Sequence, residues 1–268
     1  MSELSLPRPR RASLAQCLAI QAQVIGAVIM RELHTRYGRD NIGYLWLIGE
    51  PLMLGSIISS LHGTGGHEGG INPVAFTVTG YCNFIMFRGI VNRSEGSIHA
   101  NAPLLYHRMV TVLDITLGRA LLEAAGTISA FTILMSVCIA LGYVGFPERP
   151  LYLFIGIGFL FWFSVSISMI ITGGTHEKPF SERMVHPFTY FMIPLSGAFY
   201  MAEWMPATYR YYLLLNPLPH IFEIIRYGVF RSATLEYVDF GYVTAFTAIL
   251  TLFGLLAMRT VKSRIHLS

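Results

Sequence analysis

The chain has 268 residues, of which 53% are hydrophobic and only 13% are charged, and its mean hydropathy is +0.53. Such a composition provides too little polar surface for a water-soluble globule, so it predicts a membrane protein without a separate soluble domain. The three cysteines, Cys17, Cys82 and Cys138, lack C-x-x-C spacing, and we predict neither a disulfide framework nor a zinc site. No small-residue cleavage site follows the N-terminal arginines, so no removable signal peptide is expected.

Residues 12–37 are predicted to form an amphipathic helix that lies in the membrane interface. Residues 12–30 carry no charge, but glutamines interrupt them, so the segment is a poor bilayer crossing. Apolar side chains recur on one helical face. They are Leu14, Leu18, Ile25, Ile29 and Leu33.

Five further apolar segments are long enough to cross a bilayer, which takes about 20 helical residues. They are residues 43–61, 73–90, 115–144, 151–172 and 240–258. Residues 185–202 are also uncharged except at their histidine, and they contain Pro187, Pro194 and Gly197. Proline and glycine are tolerated in a membrane-spanning helix where neighbouring groups form hydrogen bonds with the freed backbone groups. We therefore predict that this segment is the sixth crossing.

The distribution of Lys and Arg predicts the orientation, because cytoplasmic loops carry the excess of both residues. With both termini in the cytoplasm, thirteen of them lie inside and four outside. The thirteen are Arg8, Arg10, Arg11, Arg31, Arg36, Arg39, Arg93, Arg108, Lys178, Arg183, Arg259, Lys262 and Arg264, and the four are Arg149, Arg210, Arg226 and Arg231. A seventh crossing through residues 12–30 would split the inside set, so the interfacial position is favoured.

Residues 203–239 are too polar for a crossing, yet YYLLLNPLPHIFEIIRYGVF (211–230) is too apolar for an ordinary loop. Asn216, Pro217 and Pro219 divide the stretch into two short halves. This pattern is typical of a hairpin that enters the membrane from outside and returns, but it also fits two helices on the surface.

Three blocks of sequence resemble the permease subunits of ABC-2 type exporters for capsular polysaccharide. They are RELHTRYGRDNIGYLWLIGEP (31–51), NRSEGSIHANAPLLYHR (92–108) with RALLE (119–123), and LNPLPHIFEIIRYGVF (215–230). Their order and spacing cover essentially the whole chain. The resemblance implies an all-α membrane protein with the type V exporter fold. That fold has six transmembrane helices, an N-terminal interfacial helix and an extracytoplasmic re-entrant hairpin, here residues 203–239, in a single domain over 1–268.

The same resemblance implies the partners and the substrate. It implies a homodimer in the bacterial inner membrane, two separate ATP-binding cassette subunits, periplasmic or outer-membrane export partners, and an acidic polysaccharide on a lipid anchor. No nucleic-acid partner is expected. The loops GTGGHEGG (63–70) and GGTHEKPFSERM (173–184) depart from the family and leave the substrate open. O-antigen, teichoic acid and exopolysaccharide are the alternatives.

The chain lacks the G-x-x-x-x-G-K-[ST] phosphate-binding loop, since neither of its two lysines, Lys178 and Lys262, follows the required glycine. We therefore expect no enzyme activity and no cofactor, with ATP and Mg bound by the partner subunit. A membrane transferase would need a His-x-x-x-x-Asp pair or an Asp-x-Asp metal site. A secondary transporter should have paired broken helices in both halves, and only one half here has such breaks.

Residues 94–108 are the predicted contact with the ATPase. They form a short amphipathic segment whose apolar edge would seat in a groove of the partner and transmit its closure, although a plain connecting loop remains the alternative. The residues expected to take part are Glu95, Ile98, His99, Leu104, Leu105, Tyr106 and Arg108.

Aromatic side chains are predicted to line the substrate path, because sugar ring faces stack on them while a polymer can still slide. The candidates, with one carboxylate, are Tyr44, Trp46, Glu50, Tyr190, Tyr200, Trp204, Tyr211 and Tyr212. An aromatic belt at the membrane interface explains the same residues equally well.

Charges in apolar segments are costly and therefore informative. Arg119 and Glu123 stand four residues apart on one predicted helix, which favours a structural ion pair. Four other arginines are candidates for the entry site of an anionic substrate or lipid headgroup, and the cluster before the first crossing also suits ordinary headgroup binding. They are Arg31, Arg36, Arg39 and Arg88.

Overall fold

The computed structural model of the chain describes residues 13–37, 53, 57, 70–105, 110–175 and 182–265. These residues are mostly helical, and none of them forms a β-strand. A 3-10 turn at Ala202–Trp204 precedes the eighth helix. The α-helices are α1 (Leu14–Tyr37), α2 (Pro73–Asn92), α3 (Ser97–Ala100), α4 (Ala102–Leu105), α5 (Val112–Ala140), α6 (Pro150–Thr175), α7 (Val185–Leu195), α8 (Ala207–Leu213), α9 (Pro217–Val229) and α10 (Phe240–Ile265).

Four of the described helices are long and apolar enough to cross a membrane: α2, α5, α6 and the Phe240–Val261 part of α10. Each coincides with a predicted crossing. Local signals set where two of them begin, because Asn72 caps α2 ahead of Pro73, and Thr111 forms a capping box with Asp114 at the start of α5. The predicted crossing at 43–61 lies outside the described residues.

The predicted helix over 185–202 is shorter in the structure. Helix α7 has 11 residues and rises about 16 Å, roughly half the thickness of the hydrocarbon core. Pro187 is tolerated in its first turn, whereas Pro194 lies in the last turn and Gly197 adopts a positive φ of +79°. Residues 196–201 continue without α-helical structure, and we call residues 196–202 the broken segment.

Helix α6 lies at the centre of the bundle and packs on α10, α9 and α2, while α2 packs on α5. Aromatic contacts join these helices, with the rings of Phe87 and Phe163 6.1 Å apart across the α2–α6 contact. Glycines permit close approach of α6 to α10, where a Cβ on Gly173 would lie 2.6 Å from the Ala257 side chain. Helix α10 is the least covered of the four long apolar helices, with 17% of its apolar window buried.

Helix α1 lies against α5 and matches the extent predicted for the interfacial helix. Val28 is buried and would lie 2.8 Å from a Cβ on Gly118, so the two helices meet closely there. The predicted apolar face is only partly covered: Ile25 and Leu33 are half-buried, but 70% of Leu18 is exposed. Its position relative to a membrane stays a prediction.

The two ends of the bundle carry different groups. One end, which we call the basic end, holds residues 93–105 together with the C-terminal parts of α1, α6 and α10 and the N-terminal parts of α5 and α7. The other, the hairpin end, holds α8 and α9. Helices α8 and α9 are separated at residues 214–216, where the sequence predicted a division into two halves.

Candidate functional site: the foot and the broken segment

Residues 93–105 form a compact polar turn at the basic end, which we call the foot. Gly96 has a φ of +59°, which allows the chain to reverse after α2. Helices α3 and α4 follow with four residues each, and Asn101 between them donates through Nδ2 to the Ser97 carbonyl, 2.9 Å away. Ser94, Ser97 and Asn101 are all buried, so the foot is an ordered element rather than a loose connection.

Polar contacts fix the foot to helices on four sides. Each joins a foot residue to a different helix, so a displacement of the foot acts on all four. The pairs are Arg31 Nη1 donating to Asn101 Oδ1 at 2.7 Å (α1), Arg93 Nε with Glu123 Oε1 at 2.9 Å (α5), Ser97 Oγ with Thr172 Oγ1 at 3.4 Å (α6), and His186 Nε2 with Glu95 Oε2 at 3.3 Å (α7).

The predicted coupling residues divide between the inside and the outside of the foot. Ile98 is buried in the core of its own chain, so it does not belong to an apolar edge offered to a partner. Leu104 and Leu105 are half-buried, and His99 is exposed. Tyr106 and Arg108 lie outside the described residues. After Gly96, the exposed residues of the foot are His99, Ala100 and Pro103, because the helical turn points Ile98 inward.

The structure gives Arg119 and Glu123 partners on other parts of the chain rather than each other. Arg119 Nε lies 2.9 Å from Glu32 Oε1 on α1, and Glu123 pairs with Arg93 at the start of the foot. The predicted pair within one helix is wrong because α1 and α2 pack on two sides of α5, and each brings an opposite charge to it. Gly89 makes room for Glu123, whose Oε2 lies 3.1 Å from where a Cβ would stand.

The arginines predicted as an anionic entry site are partly engaged by neighbours. Arg31 donates to Asn101, as described above. Arg88 donates through Nη2 to the Tyr190 hydroxyl at 3.1 Å and lies over the same ring, 4.6 Å from its centroid. Arg88 and Tyr190, predicted for different roles, are thus in contact. The Arg36 side chain and all of Arg39 lie outside the described residues.

The broken segment follows α7 at the end away from the foot. Side chains of α9 form hydrogen bonds with its backbone groups. The Arg226 guanidinium donates to two carbonyl oxygens, through Nη2 to Ala198 at 2.8 Å and through Nη1 to Tyr200 at 2.5 Å. The Ala202 amide donates to Glu223 Oε1 at 2.9 Å. Carbonyls and amides released by a helix break need such partners wherever water is excluded.

Glu223 and Arg226 are themselves enclosed. Arg226 is fully buried and Glu223 is 5% exposed. Their nearest charged atoms are 3.7 Å apart, and the guanidinium lies 4.2 Å from the centroid of the Phe76 ring on α2. The positive charge is thus balanced by a carboxylate and an aromatic face.

Glu223 and Arg226 were not among the predicted site residues, because Arg226 was assigned to the outside loop charges. A signal was available. The two ionisable residues stand three positions apart in an otherwise apolar stretch, and charges in such a stretch usually have a specific partner.

The candidate aromatic residues do not converge on one surface among the described residues. Tyr211 and Tyr212 are exposed on α8, with their rings 5.5 Å apart in an edge-to-face contact. Tyr200 is half-buried, and Trp204 packs against Phe76 at 4.9 Å. The remaining candidates at positions 44, 46 and 50 lie outside the described residues.

An apolar groove of about 670 Å³ runs between α6, α7, α10 and the link from α8 to α9. Its wall is almost entirely apolar, with Thr175 near the basic end and Asn216 near the hairpin end as its polar members. Within the described ranges, no three His, Cys, Asp or Glu side chains come together as a metal site requires.

Comparison with known proteins places this architecture in a family. The family model described as "ABC-2 type transporter" matches residues 23–230. The capsule polysaccharide export inner-membrane protein CtrC of Neisseria meningitidis serogroup B is 38% identical over 248 residues, covering 91% of this chain and 93% of that protein.

Two other relatives match over a similar extent. The capsule polysaccharide export inner-membrane protein BexB of Haemophilus influenzae is 33% identical over 96% of this chain and 97% of its own length. The polysialic acid transport protein KpsM of Escherichia coli is 30% identical over 90% of this chain and 94% of its own length. The chain, whose foot and broken segment both fall within the matched region, belongs to the ABC-2 type transporter family.

Proposed function

We propose that the chain is the transmembrane permease subunit of an ATP-driven exporter that carries capsular polysaccharide on a lipid anchor across the bacterial inner membrane. The observation that carries the proposal is its similarity over at least nine-tenths of its length to proteins named for capsule polysaccharide export and polysialic acid transport. The four long apolar helices agree with an inner-membrane location.

The basic end faces the cytoplasm, with both termini on that side and six crossings in all. This orientation is supported by the excess of Lys and Arg in the segments that the sequence assigns to the cytoplasmic side. Helix α7 and the broken segment together make one of the six crossings, and the hairpin of α8 and α9 re-enters the membrane from outside. The irregular backbone of that crossing is compatible with the bilayer because α9 supplies its hydrogen-bond partners.

The foot is the docking element for an ATP-binding cassette subunit, and two permease copies work with two such subunits. His99, Ala100 and Pro103 present the outward surface, flanked by Leu104. Closure of the ATPases on ATP displaces the foot, and the polar contacts described above pass that displacement to α1, α5, α6 and α7. ATP and Mg bind to the partner subunit.

The substrate path includes the exposed tyrosines of α7 and α8. Tyr190 lies near the basic end and Tyr211 and Tyr212 near the hairpin end, so sugar rings would stack on them at different depths of the path. The Arg31–Arg39 cluster and Arg88 supply positive potential where an anionic lipid-linked polymer enters. Arg88 and Tyr190 act there as a unit, because they are in contact.

Deletion and co-purification test this function. A strain that lacks the gene should lose surface polysaccharide and retain it in the cell, and the intact gene should restore export. The affinity-tagged chain should co-purify a P-loop ATPase and a glycan that mass spectrometry identifies. Normal surface polysaccharide in the deletion strain, or a purified complex without an ATPase, would refute the proposal.

A further inference from the structure

We propose that Asn216, Glu223 and Arg226 form a rigid joint between the broken segment and α9, so that α7 and the re-entrant hairpin move as one body during export. Arg226 is the central positioning residue of this joint. The role rests on the proposed function, since it concerns how a movement started by the ATPase reaches the hairpin end.

The joint is built on one face of α9. Residues 216, 219, 223 and 226 follow the spacing of a single helical face. Asn216 caps α9 with its side-chain oxygen on the Leu218 amide, and its Nδ2 donates to the Leu195 carbonyl at 3.0 Å. Pro219 comes next along that face, with its Cα 3.0 Å from where a Cβ on Gly197 would lie. This face of α9 therefore contacts the chain where it leaves α7, at Leu195 and Gly197.

Glu223 and Arg226 complete the coverage of the broken segment. Together they hold the Ala198 and Tyr200 carbonyls and the Ala202 amide, all through fully or nearly fully buried side chains. Backbone groups of this kind are strongly destabilising when they are left unpaired in hydrocarbon. Opening the joint would expose several of them at once, so the joint resists bending.

A break within a helix is normally a hinge, because residues outside regular structure absorb changes in φ and ψ. Here side chains from a second helix brace the break. At its other end, α7 contacts the foot through His186, and its Thr189 hydroxyl donates to Asn92 Oδ1 in the last turn of α2 at 3.0 Å. A displacement at the foot is therefore passed along α7 to the hairpin rather than absorbed at the break.

Arginine is the side chain that this geometry requires. Its planar guanidinium presents several N–H donors in a fixed fork, and it reaches two carbonyls two residues apart while facing Glu223 and Phe76. A lysine ammonium is a compact charge on a flexible stem and would hold one carbonyl well at most. Arg226→Lys should therefore retain part of the function that Arg226→Gln loses.

The matched control is Arg210→Gln in the same hairpin. Arg210 donates to the Met205 carbonyl at 2.8 Å and to the Glu203 carbonyl at 3.5 Å, and it lies over the Tyr237 ring. These contacts stay within residues 203–237 and do not reach the broken segment. An effect seen in Arg226→Gln but not in Arg210→Gln can therefore be assigned to the joint rather than to a general loosening of the hairpin.

The experiment compares the wild-type chain and the three variants as the complex with its ATPase in phospholipid nanodiscs, and as exporters in cells. For Arg226→Gln we expect amide hydrogen exchange in residues 196–202 to rise about tenfold or more. Export should fall about tenfold while ATP hydrolysis by the complex stays within about twofold of wild type. Arg226→Lys should be intermediate, and Arg210→Gln should match the wild type.

Three outcomes would overturn the joint: unchanged exchange in Arg226→Gln, unchanged export in that variant, or ATP hydrolysis that falls in proportion to export. Failure of both Arg226 variants to assemble with the ATPase would also overturn it, since the residue would then serve folding alone. If the wild-type chain binds no ATPase, the proposed function fails. In that case, comparing amide hydrogen exchange in Arg226→Gln and Arg210→Gln, measured on the permease alone, still tests whether the joint exists.

Discussion

The contact between α6 and α9 makes a quantitative prediction at Gly156. A Cβ at this position would lie 2.6 Å from Ile225 Cγ1, 2.9 Å from its amide nitrogen and 3.2 Å from its Cα. Contacts this short cannot persist, so Gly156→Ala must push α9 away from α6 by several tenths of an ångström or more. Gly158, two residues along the same helix, has no atom within 4 Å of its hypothetical Cβ and provides the control.

Two opposing terms set the size of the effect. Forcing extra atoms into a packed contact costs about 1–3 kcal/mol, whereas replacing glycine by alanine inside a helix gains about 0.5–1 kcal/mol. Gly156→Ala should therefore destabilise the chain by about 0.5–2 kcal/mol, and Gly158→Ala should stabilise it by the propensity gain alone. For a chain of this size each kcal/mol corresponds to a shift of about 2–4 °C in Tm. Because the two stability changes have opposite signs, Gly156→Ala should lower Tm and Gly158→Ala should raise it.

Thermal unfolding of the purified permease in nanodiscs, followed by tryptophan fluorescence and by circular dichroism, gives the measurement. Gly228 lies at the same contact, with its hypothetical Cβ 2.4 Å from the Leu153 amide nitrogen. Once Gly156→Ala has displaced α9, Gly228→Ala should cost less than it does alone, because the two glycines share one interface. A Tm for Gly156→Ala equal to or above that of Gly158→Ala would refute the close packing of α9 on α6.

Three further predictions concern single contacts. Arg119→Glu places a second negative charge beside Glu32, and breaking a buried pair of this kind costs about 3–5 kcal/mol. The amount of membrane-inserted protein on immunoblots should therefore fall. Adding Glu32→Arg to the same chain should restore it. Gly197→Ala should lower Tm, because a positive φ costs alanine about 1–2 kcal/mol. A cysteine at His99 should react with a membrane-impermeant maleimide only in inside-out vesicles, and a cysteine at Ser232 only in spheroplasts.

Controls make each of these results specific. A double charge-swap variant no better than Arg119→Glu alone would contradict the interhelical pair. Gly142 has a φ of +73° with no atom within 4 Å of a hypothetical Cβ, so Gly142→Ala measures backbone strain without the contact to α9 and should cost less than Gly197→Ala. Labelling of the His99 cysteine in spheroplasts would reverse the proposed orientation.

The long apolar helices could be predicted from the sequence with end errors of a few residues. The prediction 151–172 corresponds to Pro150–Thr175, and 115–144 corresponds to Val112–Ala140. An uninterrupted apolar run of this length has few alternatives to a spanning helix, because its backbone must be satisfied within the segment. The division of the 203–239 stretch near Asn216 and Pro217 was predicted equally well, since an N-cap followed by proline is a local signal.

The partners of charged side chains could not be predicted in the same way. Arg119 and Glu123 satisfy the spacing rule for a pair on one helix, but α1 and α2 bring Glu32 and Arg93 closer. Spacing along one helix gives no information about neighbouring helices, and a pair on one helix is worth only about 0.2–0.5 kcal/mol. The role of Arg226 escaped prediction for the same reason, because it depends on carbonyls at positions 198 and 200 that only the fold brings near.

The enclosed guanidinium of Arg226 also bears on ion leakage. A spanning segment whose free carbonyls were hydrated would hold a file of water molecules, and such a file conducts protons down the membrane potential. Because Arg226 and Glu223 bind the Ala198 and Tyr200 carbonyls and the Ala202 amide directly, these three groups need no water. In the proposed six-crossing arrangement, a polymer conduit beside α7 would then gain no proton path through these backbone groups.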